Sequence, residues 1–155
     1  MAATVGSKAP DFTLMNENRE PVTLSSQKGH PVVLAFFPAA FSGTCTKELC
    51  TFRDSMAKLN NAKAQVYGIS VDTFFTLAAF KKDQNLNFPL LSDFNKEVIQ
   101  AYGAYNPDMI GLKGIAKRAV FVLDKNGVVR HKEVLDDARN EPDYEKIVST
   151  LQSVN

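Results

Sequence analysis

Cysteine is nearly absent from this chain, which carries only Cys45 and Cys50. A fold held by a disulfide framework is thereby excluded, and with 155 residues none is needed, because a chain of that length buries roughly 70% of the surface its unfolded form exposes. Histidine is equally scarce. His30 and His131 show no zinc-ligand spacing with the two cysteines. No basic run is present; 18 Lys and Arg stand against 17 Asp and Glu for a net charge of +1, so nucleic acid and anionic membrane are poorly supported as partners. No apolar run approaches the roughly 20 residues of a membrane span, and Met1 to Pro10 lacks the apolar core of a signal peptide. A cytoplasmic protein is the expectation. Linkers, repeats and low-complexity segments are missing too, which leaves residues 1–155 as a single domain of ordinary composition, 45% apolar and 23% charged.

What is present is an alternation of strand and helix periods. Asp11–Leu14 and Pro21–Leu24 flank the polar segment Asn16–Glu20 and predict an N-terminal β-hairpin. Pro31–Phe37 is a nearly unbroken apolar run, suited to a central strand covered on both faces. From Thr44 to Asn60 the period becomes helical, with Leu49, Phe52, Met56 and Leu59 on one inward stripe and Lys47, Asp54 and Lys58 facing water. Gln65–Val71 predicts the next buried strand, and Asp72 and Thr73 are possible caps for a helix over Phe75–Lys82. Phe88–Leu91 predicts a third strand, Asn95–Tyr102 a helix, and Gly103–Lys117 a stretch that is mostly loop. Asn126-Gly127 between Arg118–Leu123 and Val128–Val134 is a strong hairpin signal. Pro142 falls in the first turn of a last helix, whose apolar side carries Tyr144, Ile147, Val148 and Leu151. That order predicts an α/β fold, a central mixed β-sheet flanked by helices on both faces.

Both cysteines lie in Phe36–Cys50, where the apolar strand gives way to the helix. A thiol in the opening turn of a helix meets unpaired backbone N–H groups and the positive end of the helix dipole, both of which favour the thiolate. Cys45 stands at the top of the inward stripe, four residues before Leu49. Cys50 is about 140° further round at 100° per residue, so the two sulfurs point in different directions while the helix is intact. A cysteine on an apolar helix face is otherwise most often a small hydrophobe. The surrounding residues decide between the two.

The run Pro38-x-x-Phe41-Ser42-x-x-Cys45 resembles the peroxidatic motif of the peroxiredoxins of the AhpC/TSA superfamily, which has a proline, a threonine or serine and a cysteine at that spacing. Gly6–Leu14 is similar to that family's opening strand, Val32–Pro38 to its central strand, and Arg118–Asp124 to the strand bearing its active-site arginine. The resemblance implies a thioredoxin-like fold and a thiol-dependent peroxidase that reduces hydrogen peroxide and organic hydroperoxides without a cofactor. Splitting an O–O bond with sulfur needs a thiolate nucleophile and donors for the charge developing on the leaving oxygen. The resemblance implies the first role for Cys45 and, if the sheet brings its strand alongside, the second for Arg118, with Pro38 shaping the pocket, Ser42 supplying a hydroxyl and Glu48 accepting from Arg118 to hold it.

The C-x4-C spacing resembles the PrxQ, or bacterioferritin-comigratory-protein, branch, in which Cys50 would condense with the Cys45 sulfenic acid to an intramolecular disulfide. Disulfide geometry needs Cα atoms within about 7 Å and facing Cβ vectors, so roughly residues 43 to 51 would have to unwind. The segment also resembles the AhpE-like branch, some members of which work with one cysteine; in that alternative Cys50 is idle. The partners implied are a peroxide and a thioredoxin- or glutaredoxin-like reductant. Lack of a further C-terminal cysteine argues against resolution between subunits, leaving a monomer or non-covalent homodimer. Two competing functions are a thioredoxin-type thiol–disulfide oxidoreductase, disfavoured because its cysteines are two residues apart, and a redox sensor whose Cys45 oxidation is read by a partner. Phe41 and Tyr105–Gly114 are expected at the pocket mouth or a dimer contact, Phe74, Phe75 and Phe80 in the core, His30 and His131 in a turn and on a strand surface, and Arg53, Arg130 and Arg139 in solvent.

Overall fold

The computed structural model describes residues 3–61 and 63–154. Along the chain its strands are β1 (Thr13–Asn16), β2 (Pro21–Thr23), β3 (Val32–Phe36), β4 (Gln65–Ser70), β5 (Leu90–Ser92), β6 (Tyr105–Asn106), β7 (Ile115–Ala116), β8 (Arg118–Leu123) and β9 (Val129–Leu135). The helices are α1 (Gly43–Asp54), α2 (Met56–Asn61), α3 (Phe74–Gln84), α4 (Glu97–Ala101) and α5 (Tyr144–Val154). The main sheet has the order β2-β1-β5-β4-β3-β8-β9. It is mixed: β3 and β5 run parallel to β4, whereas β8 is antiparallel to β3.

Two cores follow from the alternation of side chains along β3. Val33, Ala35 and Phe37 face the core built by Leu49 and Phe52 of α1, Leu59 of α2, Leu77 and Phe80 of α3, and Ile147 and Leu151 of α5. Val32, Leu34 and Phe36 face the other, closed by Val98 and Ile99 of α4 and by Tyr102. The Tyr102 ring lies 5.4 Å from Phe36 and 5.2 Å from Phe121, and its hydroxyl donates to the Pro10 carbonyl at 2.6 Å, so the buried polar tip is satisfied. Helices thus cover both faces of a central mixed sheet, as the strand and helix periods imply. No helix among the described residues is long and apolar enough to cross a membrane.

Boundaries differ from the sequence expectation where side chains compete for the backbone. The first strand of the N-terminal hairpin is set two residues later while the second still starts at Pro21, because Asn16 Oδ1 accepts the N–H groups of Asn18 and Glu20 and tightens the turn. The helix expected over Thr44–Asn60 is two: α1 ends at Asp54, and Ser55 turns the chain with its N–H shared between the Thr51 and Phe52 carbonyls. Thr73 caps α3, accepting from the Thr76 N–H. Asp93 receives the N–H groups of Val98 and Ile99 at 3.2 and 2.8 Å, so α4 starts at Glu97. Gly103–Lys117 is mostly loop, as expected, with β6 and β7 pairing into a short ribbon inside it. Pro142 lies outside the last helix, whose start is capped by Asp143 Oδ1 accepting from Lys146 N–H.

Candidate active site

Sheet register brings the site together. Phe36, the last residue of β3, pairs with Ala119 of antiparallel β8, so Arg118 at the start of β8 lies beside the chain leaving β3. Arg118 shares its side of the strand with Val120 and Val122, which face α1. The departing loop is tied to the end of β4: Ala40 N–H donates to Asp72 Oδ2 at 2.8 Å, and Ser70 Oγ donates to the same oxygen at 2.7 Å. Phe41 takes a left-handed conformation, with φ at +69°, and its ring lies 5.1 Å from that of Phe80. Such a conformation in a bulky residue stores strain that its surroundings must hold.

Ser42 is the N-cap residue of α1, and Cys45 sits in the first turn, its side chain buried. The Ser42 hydroxyl does not cap the helix. It donates to the Ala39 carbonyl at 3.0 Å, which leaves its lone pairs free to accept. Glu48, three residues after Cys45, falls on the same helix face and is fully buried. Arg118 joins the two: Nη2 donates to Cys45 Sγ at 3.3 Å and Nη1 to Glu48 Oε1 at 2.9 Å. Nε and Nη2 also donate to the Ala138 carbonyl at 3.2 and 2.8 Å. Burial works against the guanidinium charge, yet Glu48 and Cys45 beside it hold the Arg118 pKa above the ordinary arginine value. Burial pushes the Glu48 carboxyl up to about 7, against the opposing pull of Arg118.

An open cleft of about 650 Å³ reaches this cluster, lined by Pro38, Ser42, Gly43, Thr44, Met109, Ile110, Arg118 and the Asp136–Arg139 segment. Cys45 lies behind that lining, with none of its surface exposed. Met109 and Ile110 therefore stand at the mouth, whereas Phe41 packs on Phe80 and projects half into solvent. Cys50 is half-buried and unbonded to Cys45; its thiol donates to Gln84 Oε1 at 3.4 Å. Pro38, Ser42, Cys45, Glu48 and Arg118 converge, and Cys50 faces away toward α3. Among the described residues no group of three or more His, Cys, Asp or Glu could hold a metal ion.

Several surrounding residues depart from expectation. Phe80 is core, but Phe75 is 68% exposed and meets Phe74 edge to face. Arg53 is not simply solvated, since Nη1 donates to the Gln84 carbonyl at 2.6 Å and ties the end of α1 to the end of α3. His131 is half-buried with Nε2 lacking a hydrogen-bond partner. The Ala138 carbonyl and the Gln84 side chain were not singled out from the sequence. A loop carbonyl carries no residue-type signal, and Gln84 is one polar residue among many at a helix end.

The sequence model of the AhpC/TSA family matches residues 5–132. The chain is 45% identical to a chloroplastic peroxiredoxin Q of Sedum lineare, over 82% of this chain and 67% of the relative. It is 42% identical to a putative peroxiredoxin of Mycobacterium tuberculosis, over 81% of this chain and 82% of the relative. It spans 57% of the length of the rice chloroplastic relatives. Among solved structures, the peroxidoxin BcpB of Mycobacterium tuberculosis superposes with a TM-score of 0.86 at 31% identity, covering 99% of each chain.

Proposed function

The chain belongs to the AhpC/TSA family, the peroxiredoxins, and on that premise we propose that it is a thiol peroxidase with Cys45 as its nucleophile. The observation that carries this reading is the 3.3 Å contact from Arg118 Nη2 to a fully buried Cys45 Sγ. A guanidinium at that distance stabilises the thiolate and is always charged. The thiolate attacks the terminal oxygen of hydrogen peroxide or an organic hydroperoxide. An S–O bond forms, the O–O bond breaks, and the leaving oxygen takes a proton to become water or an alcohol. Nη1 carries a second hydrogen beyond the one on Glu48, a donor for charge developing on that oxygen. Ser42 accepts from the peroxide O–H, and the buried Pro38, which lacks an N–H, closes one wall. Glu48 holds the guanidinium in register.

Cys50 then condenses with the sulfenic acid, and a thioredoxin- or glutaredoxin-like dithiol protein reduces the disulfide. This requires residues 43–51 to unwind and the Cys50–Gln84 contact to break. That same contact favours the second reading, in which Cys50 stays idle and an external thiol reduces the sulfenic acid directly. Intact mass after one equivalent of peroxide separates them: loss of two hydrogens marks the disulfide, gain of one oxygen the one-cysteine cycle. This reading takes residues 1–155 as a single catalytic domain working in the cytoplasm as a monomer or non-covalent homodimer. Cys45→Ser is expected to abolish peroxide consumption with thioredoxin as reductant; substantial residual turnover would refute the assignment. Insulin reduction in place of peroxide reduction would mark a thiol–disulfide oxidoreductase.

A further inference from the structure

One guanidinium serves two acids in this site. Arg118 Nη2 lies 3.3 Å from Cys45 Sγ and Nη1 2.9 Å from Glu48 Oε1, and all three side chains are buried. With both acids ionised the cluster is net negative, and with neither it is net positive. Both states are costly away from water. With one proton between the two acids it is neutral.

The surroundings of Glu48 favour the proton there whenever the sulfur is charged. Glu48 Oε2 is buried without a hydrogen-bond partner, a poor seat for half of a carboxylate. The other ionisable groups around it offer no compensation. Glu133 of β9 and Glu141 of the segment before α5 both oppose a negative charge on it. Tyr144 of α5 donates its hydroxyl to Glu141, and Lys47 of α1 pairs with Glu141 at 3.0 Å. The carboxyl pushed up to about 7 by burial agrees with this arrangement.

We propose that Glu48 is held as the carboxylic acid while Cys45 is a thiolate, and yields that proton as Cys45 is oxidised, so that the cluster stays neutral through the peroxide step. The proposal rests on the peroxidase reading of Cys45. The step balances as Cys45–S⁻ plus ROOH plus Glu48–COOH giving Cys45–SOH plus ROH plus Glu48–COO⁻. The sulfur is oxidised by two electrons, the O–O bond breaks with its pair on the leaving oxygen, and that oxygen ends protonated. Before the step the thiolate balances Arg118. Afterwards the sulfenic acid is neutral and the Glu48 carboxylate takes over that role. Glu48 acts through Arg118, which makes it a positioning residue with a proton inventory of its own. Reduction of the sulfur back to the thiolate returns the proton to Glu48.

The test is an infrared difference spectrum of the Cys50→Ser variant before and after one equivalent of hydrogen peroxide at neutral pH, with intact mass measured on the same sample. That background holds the oxidised state at the sulfenic acid with α1 folded. The expected result is one added oxygen with loss of one carboxylic-acid carbonyl band per chain and gain of a carboxylate band. The lost band is expected to shift in heavy water and to be absent when Glu48→Gln is added. Glu48→Asp, which keeps an acid, is expected to displace the band, and assigns it if the Gln variant does not fold. One added oxygen without loss of a carboxylic-acid band overturns the proposal and leaves the peroxidase reading standing. No added oxygen overturns both.

Discussion

Replacing Arg118 by Ala removes three sets of contacts whose consequences separate in two assays. The first is the 3.3 Å hydrogen bond to Cys45 Sγ. A bond to a charged group is worth about 1.5–3 kcal/mol, so its loss is expected to slow peroxide attack roughly 10- to 150-fold. The second is the pair with Glu48. Removing one partner of a buried ion pair costs about 3–5 kcal/mol, but a carboxyl pushed up to about 7 and held as the acid leaves no bare buried charge behind. The stability loss is therefore expected near the lower end of that range. The third set is the pair of N–H groups on the Ala138 carbonyl, at 3.2 and 2.8 Å, which fix one wall of the cleft. Arg118→Lys keeps the charge but not the planar fork, and one ammonium cannot serve Sγ, Glu48 and Ala138 together. It is expected to recover stability more fully than rate. Single-turnover stopped-flow kinetics with excess peroxide measure the first effect and urea unfolding the others. A folded Arg118→Ala variant reacting within about twofold of the wild type would refute the claim that the guanidinium stabilises the reacting sulfur.

Glu48→Gln is expected to flatten a pH dependence of unusual sign. Because the carboxyl rises from 4.5 to about 7 on folding, the unfolded chain binds fewer protons between those values and stability falls as pH rises through them, by about 3 kcal/mol in all. Urea unfolding across that window checks it; a wild-type stability that rises instead would contradict the burial argument. Gln84→Ala frees the Cys50 thiol from its 3.4 Å contact and, if Cys50 resolves, is expected to speed disulfide formation by a few-fold, in keeping with a bond worth about 1 kcal/mol. Quenched-flow mass analysis reads this directly, and an unchanged rate means that the contact does not hold back unwinding. Gly68→Ala places a Cβ 2.7 Å from Leu90 Cδ2 and 3.3 Å from Phe37 Cε1. Overpacking of that kind is expected to cost about 1–3 kcal/mol in urea unfolding with no direct effect on the sulfur.

Much of this protein is readable along the chain because its periods are local. The apolar run at Pro31–Phe37 marks the central strand, the helical stripe from Leu49 marks the inward face of α1, and the three-residue step from Cys45 to Glu48 puts both on that face. Pro38, Ser42 and Cys45 stand close enough in sequence to be recognised as one motif. Other features are set by packing between segments. The Arg118 side chain meets Cys45 only because β8 pairs antiparallel to β3 with Ala119 opposite Phe36. The Ala138 carbonyl, the Gln84 partner of Cys50 and the full burial of the sulfur depend on where a loop and a helix end come to rest. Phe75 shows the limit from the other side, since an aromatic residue in an amphipathic stretch reads as core and yet stands in solvent. Residue type and spacing determine which way a side chain leaves its own strand or helix. Which group it then meets across 73 residues of chain is decided by sheet register and by the packing of elements whose contacts are not encoded at neighbouring positions.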